Sequence, residues 1–172
     1  MDVTIKQYLD LYDNALPEVY GYVVRRVGSD IVAEDVTAEA FLSAMDTIKR
    51  GVVVEPSIRW MIGVARHKVA DHWRRQARED RRMVAAAGEM ATAEPTGGAD
   101  EWDEVLDAQL AHETLAGLSP IHRAVLSLRY LDGLPVGEIA HLLDRTVGAT
   151  EALLTRAKAA FRAAYPAKGG GS

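Results

Sequence analysis

Residues 135–162 read PVGEIAHLLDRTVGATEALLTRAKAAFR, and this stretch decides the fold. Ile139, Ala140 and Leu143 form one apolar set at helical spacing, and Ala149, Leu153 and Leu154 form a second. Between them, Asp144 to Thr146 leaves room only for a tight turn. Pro135 opens the first helix, which runs through Leu143; the second runs from about Val147 to Ala164. Two short helices whose apolar faces answer each other across three residues describe a helix-turn-helix, whose second helix enters a DNA major groove. On this reading Arg145, Thr146, Gly148, Thr150, Glu151, Thr155, Arg156 and Lys158 face outward and supply contacts to base edges and phosphates. Glu151 does not suit a generic phosphate grip. Many helical hairpins share the pattern, so the rest of the chain must discriminate.

Working outward, Ser119–Pro120 is an N-cap followed by proline at the first helical position, and Gly133 closes the helix that begins there. A further helix is expected from near Asp100, with Glu101, Asp103 and Glu104 complementing its dipole and Trp102, Val105, Leu106 and Leu110 on its apolar face. Residues 87–99, AGEMATAEPTGGA, are small, polar and broken by Pro95, Gly97 and Gly98, which reads as a flexible linker. Upstream, helices are expected over about 3–27, with Pro17 resetting the start of a second piece, then about 31–49 and 57–86, the first two ending at Gly28 and Gly51. Apart from Val52 to Val54 no β-branched run suggests a strand. The expected fold is all-α: a first domain over 1–86, a linker over 87–99 and a second domain over 100–168. The closing GGGS, 169–172, reads as an added tail outside the fold.

The chain has 172 residues, 48% of them hydrophobic, a net charge of −5 and no cysteine. Disulfides, thiolate metal sites and thiol switches are therefore excluded. No apolar run reaches membrane-span length and the N-terminus lacks a signal-peptide pattern, so no membrane insertion and a cytoplasmic location are expected. The net charge argues against nucleic acid, but its distribution does not. Residues 59–82 hold eight basic and three acidic residues, whereas 83–117 hold none and eight. Around a helical wheel Arg59, Arg66, Arg74, Arg78 and Arg81 share one arc, while Trp60, Met61, Val64, Ala65 and Val69 fall largely on another. Aromatic and basic residues interleave at Arg59–Trp60, His67–Lys68 and His72–Trp73. That mixture suits opened DNA, where bases stack on rings and arginines follow the backbone. The competing reading makes both tryptophans core residues.

AEDVTAEAFLSAM (33–45) followed by RWMIGVARHKVADHWRR (59–75) resembles region two of extracytoplasmic-function sigma factors, and 115–162 resembles their region four. The resemblance implies a region-two bundle of three to four helices that docks on core RNA polymerase and reads the minus-ten element of promoter DNA. The region-four helix-turn-helix then reads the minus-thirty-five element. It also implies that Glu34, Asp35, Ala38 and Phe41 bind the polymerase, and that Arg59, Trp60, Arg66, His67, Lys68, Arg74 and Arg75 bind minus-ten DNA. An anti-sigma factor is an implied partner; no cofactor, metal or catalysis is implied. This chain departs from the family pattern at Ala38, where glutamine is common, at His67, where asparagine is usual, at Asp144, where glycine is frequent, and at Glu151, a frequently basic position. His67 offers a base edge a different donor–acceptor geometry from asparagine. Asp144 still tolerates a left-handed turn.

Two rival readings fit the sequence less well. A freestanding helix-turn-helix regulator leaves the basic helix of the first domain unexplained. An enzyme needs a site, yet His67 and His72 are five apart and His112, His122 and His141 are scattered, so neither a metal-binding helix nor a triad is indicated.

Overall fold

A computed structural model of the chain describes residues 3–52, 55–87 and 107–166. Among the described residues all regular structure is helical. The expected linker at 87–99, the helix start at 100–106 and the tail at 169–172 lie outside them, apart from Ala87, which ends a helix. The chain divides into two compact units, Met1–His72 and Trp73–Ser172.

The first unit begins with α1 (Val3–Val27) and α2 (Asp30–Lys49), and the first half of α3 (Ile58–Ala87) belongs to it. Pro17 sits inside α1 and does not restart it, contrary to expectation. Proline removes one backbone donor, but Ala15 and Val19 on either side are fully buried, and packing carries the helix through. Gly28 and Gly51 adopt φ of 73° and 72°, the left-handed stops their positions suggest. Ser29 caps α2 by accepting from the Val32 N–H. α1 packs against α2, with Val19, Val23 and Val27 buried on one and Ala33, Val36, Ala40, Phe41, Ala44 and Ile48 on the other. The Tyr8 hydroxyl donates to the Phe41 carbonyl at 2.7 Å, and the Tyr12 and Phe41 rings meet edge to face at 4.8 Å.

In the second unit α4 (Ala108–Gly117) is capped by Asp107, and α5 (Pro120–Leu126) continues into a π-helical turn, Ser127–Leu131. α6 (Val136–Leu142) and α7 (Val147–Ala164) follow. α7 packs on α5 and α6 around Val125, Leu128, Ile139, Leu153 and Phe161. Arg123 closes the C-terminus of α4, donating to the carbonyls of Leu115, Ala116 and Leu118 at 3.2, 2.6 and 3.4 Å, which satisfies acceptors that a helix end leaves open. Ser119 occupies its N-cap position without a side-chain hydrogen bond, so Pro120 alone marks that start.

Candidate nucleic-acid interface

The turn between α6 and α7 is built from its backbone outward. Leu143 ends α6, Asp144 takes φ of 54°, and the Arg145 N–H donates back to the Ala140 carbonyl at 2.9 Å. Aspartate tolerates this left-handed conformation better than most side chains. Thr146 then caps α7, its hydroxyl accepting from the Ala149 N–H at 3.1 Å. The helix-turn-helix expected from residues 135–162 is present, and α7 has the bounds read from the sequence.

The register of α7 differs from expectation at its first turn. Thr150 is fully buried, while Ala149 is exposed. The inward face runs Thr150, Leu153, Leu154, Ala157 and Phe161, an unbroken helical spacing. The Thr150 hydroxyl is satisfied there by donating to the Thr146 carbonyl at 2.8 Å. Thr150 is therefore a core residue and not a surface contact. Of the other expected contacts, Thr146, Gly148, Glu151 and Thr155 are exposed, and Arg145, Arg156 and Lys158 are half-buried. Burial pulls the Arg145 guanidinium below its usual range, and the neighbouring Arg156 cation acts in the same direction. The Lys158 ammonium lies 5.7 Å from the centroid of the Tyr130 ring, within cation–π range.

α3 separates its residue types by face. Met61, Ala65, Val69 and Ala70 are buried; Arg59, His67 and Arg75 are exposed; Trp60, Arg66, Lys68 and Arg74 are half-buried. Ser57 caps this helix by accepting from the Trp60 N–H at 3.1 Å. Trp73 is 1% exposed, so of the two interleaved tryptophans only Trp60 keeps a surface on which a base could stack.

On α2, Glu34, Asp35 and Ala38 are exposed, but Phe41 is 6% exposed and packed as described above. Phe41 cannot present its ring to a partner. The adjacent Leu42 is 69% exposed and Ile31 is 75% exposed. Ile31, Asp35, Ala38 and Leu42 recur at helical spacing and share a face, a patch of apolar and acidic character. Sequence reasoning missed Ile31 and Leu42. Phe41 and Leu42 are adjacent large apolar residues, and with Ala33, Val36, Ala40, Ala44 and Ile48 setting the buried face of α2, Phe41 falls on that face and Leu42 beyond its edge. Among the described residues no group of three or more His, Asp or Glu could hold a metal, and no helix is long and apolar enough to cross a membrane.

Family models match both halves of the chain: Sigma-70 region 2 over residues 11–79 and Sigma-70, region 4 over residues 108–161. ECF RNA polymerase sigma factor BldN of Streptomyces coelicolor is 34% identical over 86% of this chain, which spans 56% of that protein, little more than half its length. ECF RNA polymerase sigma factor SigL of Mycobacterium tuberculosis is 33% identical over 88% of this chain and 85% of its own. Among solved structures, the sigma factor RpoE in complex with the anti-sigma factor NepR from Bartonella quintana aligns with a TM-score of 0.53 at 17% identity. It covers 92% of this chain and 96% of that one, a likeness of fold.

Proposed function

This chain belongs to the sigma-70 family and is a sigma factor of the extracytoplasmic-function kind, and we propose that it directs core RNA polymerase to promoters through three separate surfaces. The α2 patch of Ile31, Glu34, Asp35, Ala38 and Leu42 docks on the polymerase. The exposed side of α3, with Arg59, Trp60, Arg66, His67, Lys68, Arg74 and Arg75, holds minus-ten DNA. The outer side of α7 reads minus-thirty-five duplex. The working parts are 1–86 and 100–168, joined by 87–99. The observation that carries this reading is the match of regions two and four, in order, to the helices that bear these surfaces.

Extruding minus-ten bases from the stack costs a few kcal/mol per base. The chain performs no chemistry that could supply this, so capture of the opened strand on α3 must. It works in the cytoplasm, and an anti-sigma factor holding it from the polymerase is the regulation its family suggests. Co-purification with core polymerase followed by run-off transcription tests the proposal. Promoter-dependent transcripts are expected only when the chain is added to core. Specific nanomolar duplex binding by the chain alone, without polymerase stimulation, would instead support the freestanding regulator.

A further inference from the structure

The recognition helix carries an unusual set of chemical groups for reading DNA. From Val147 to Thr155 it has no arginine or lysine. The commonest specific contact, a cation donating twice to guanine O6 and N7, cannot come from these nine residues. Arg145 and Arg156 bracket the stretch, and both are half-buried. What the stretch does expose is an apolar side chain, an acceptor and the Thr155 hydroxyl, which donates to the Glu151 carbonyl at 3.1 Å. Val147, the first helical residue, is 49% exposed although the core behind it is filled by Thr150, Leu153 and Leu154. Glu151 is exposed one turn later. Residues four apart lie on the same side of a helix, and its N-terminal turns are those that reach base edges. Gly148 and Ala152 beside them are exposed and small, so their own side chains take up little room on this face.

We propose that Val147 and Glu151 form a paired reading head for minus-thirty-five duplex, Val147 packing on the 5-methyl group of a thymine and Glu151 accepting from the N4 amino group of a nearby cytosine. This rests on the sigma-factor reading and specifies what its second DNA surface recognises. In the major groove only thymine has the methyl; cytosine presents an amino donor with no acceptor beside it on the same base, whereas adenine pairs its N6 donor with the N7 acceptor, which a carboxylate cannot satisfy. Specificity then comes from an apolar contact and an acceptor. Lys158 and Arg156 lie further along α7, both half-buried.

The test uses reconstituted holoenzyme and a promoter selected from a library randomised across the minus-thirty-five element, rebuilt with single modified bases. Uracil in place of the contacted thymine removes only the methyl and is expected to weaken binding about fourfold, the value of one buried methyl group. The same replacement should cost Val147→Ala nothing further. Glu151→Gln should move the preferred base at the neighbouring position from cytosine toward adenine, because an amide both accepts and donates. Replacing the guanines of the element by 7-deazaguanine, which lacks N7, should change binding less than twofold. A tenfold loss with 7-deazaguanine while uracil is tolerated overturns the inference and assigns readout to an arginine, with the sigma-factor reading intact. An even gain in affinity across all sequences for Glu151→Gln also overturns it, because a carboxylate facing a phosphate behaves that way. Failure of the holoenzyme to select any promoter removes the sigma-factor reading and this inference together.

Discussion

Thr150 distinguishes a buried helix position from a DNA contact, and substitution there gives opposite signs on the two readings. Its hydroxyl donates to the Thr146 carbonyl at 2.8 Å, and the same carbonyl accepts the Thr150 N–H at 3.0 Å. Thr150→Val keeps the volume and leaves that carbonyl one donor. Its cost is one hydrogen bond, about 0.5–1.5 kcal/mol, offset in large part by a newly buried methyl worth about 0.8 kcal/mol. Thr150→Ala loses the bond and a methyl together, roughly 1.5–2.5 kcal/mol. At about 4–8 °C per kcal/mol for a domain of this size, that lowers the melting of the second unit by about 6–20 °C. Thr150→Lys forces a cation into a fully buried site and should unfold the unit. A surface lysine on a DNA-facing helix would instead raise affinity. Hydrogen exchange of α7 amides in the full chain reports the local opening free energy, and transcription from the randomised library reports base preference. The ordering Val, Ala, Lys in loss of protection, with base preference unchanged in Thr150→Val, is expected. A shifted preference in Thr150→Ala with α7 protection intact would refute the reasoning.

Phe41→Ala should cost about 3–5 kcal/mol and melt the first unit, since the ring is buried. Leu42→Asp, at an exposed site, should change stability by no more than about 0.5 kcal/mol yet abolish co-purification with core polymerase; thermal melts paired with pull-downs check both. Burial first, and the neighbouring Tyr12, raise the Tyr8 phenol above its ordinary value. The folded chain therefore retains a proton that the unfolded chain releases, so this contribution is intact below about pH 10 and is lost as pH rises through the higher folded value. Tyr8→Phe should cost about 1 kcal/mol at neutral pH and flatten that alkaline limb in urea titrations run at stepped pH. His67→Asn should alter preference at one minus-ten position and leave minus-thirty-five preference unchanged, read from a library randomised in both elements.

The features legible in the sequence were those fixed by local backbone chemistry. Glycine at 28, 51 and 133 marks left-handed stops, and all three have positive φ. The short Asp144–Thr146 spacing forces a turn, and the turn is there. What escaped was set by packing. Pro17 is a helix breaker by itself, but buried neighbours keep α1 continuous. Thr150 looks polar on a wheel, yet a threonine bonded to the carbonyl four residues back can face a core. Phe41 and Leu42 are interchangeable by composition; the Tyr8 and Tyr12 contacts decide which one turns inward. The π-helical turn at 127–131 leaves no compositional mark. It is seen in the Asp132 N–H reaching back five residues to Ser127, and in the burial of both Leu128 and Leu134 around it.

The acidic excess of this chain becomes intelligible once its charges are separated by surface. Free duplex meets a molecule of net charge −5, whose α2 face is acidic and whose recognition helix begins with nine residues lacking any cation. Counterion release, the main source of non-specific DNA affinity, is therefore weak for the isolated chain. The basic side of α3 is the exception, and on the proposed function it serves strands that exist only after opening. In the proposed complex with polymerase, the acidic patch is occupied and both DNA surfaces are held at one promoter, so the second contact follows the first at high effective concentration and overall affinity can rise by roughly 10²–10⁴. A more basic recognition helix would bind duplex everywhere and weaken that dependence on the polymerase. The proposed reading of a methyl group and an amino group, in place of a grip on phosphates, would keep the second contact specific while leaving it weak when it stands alone.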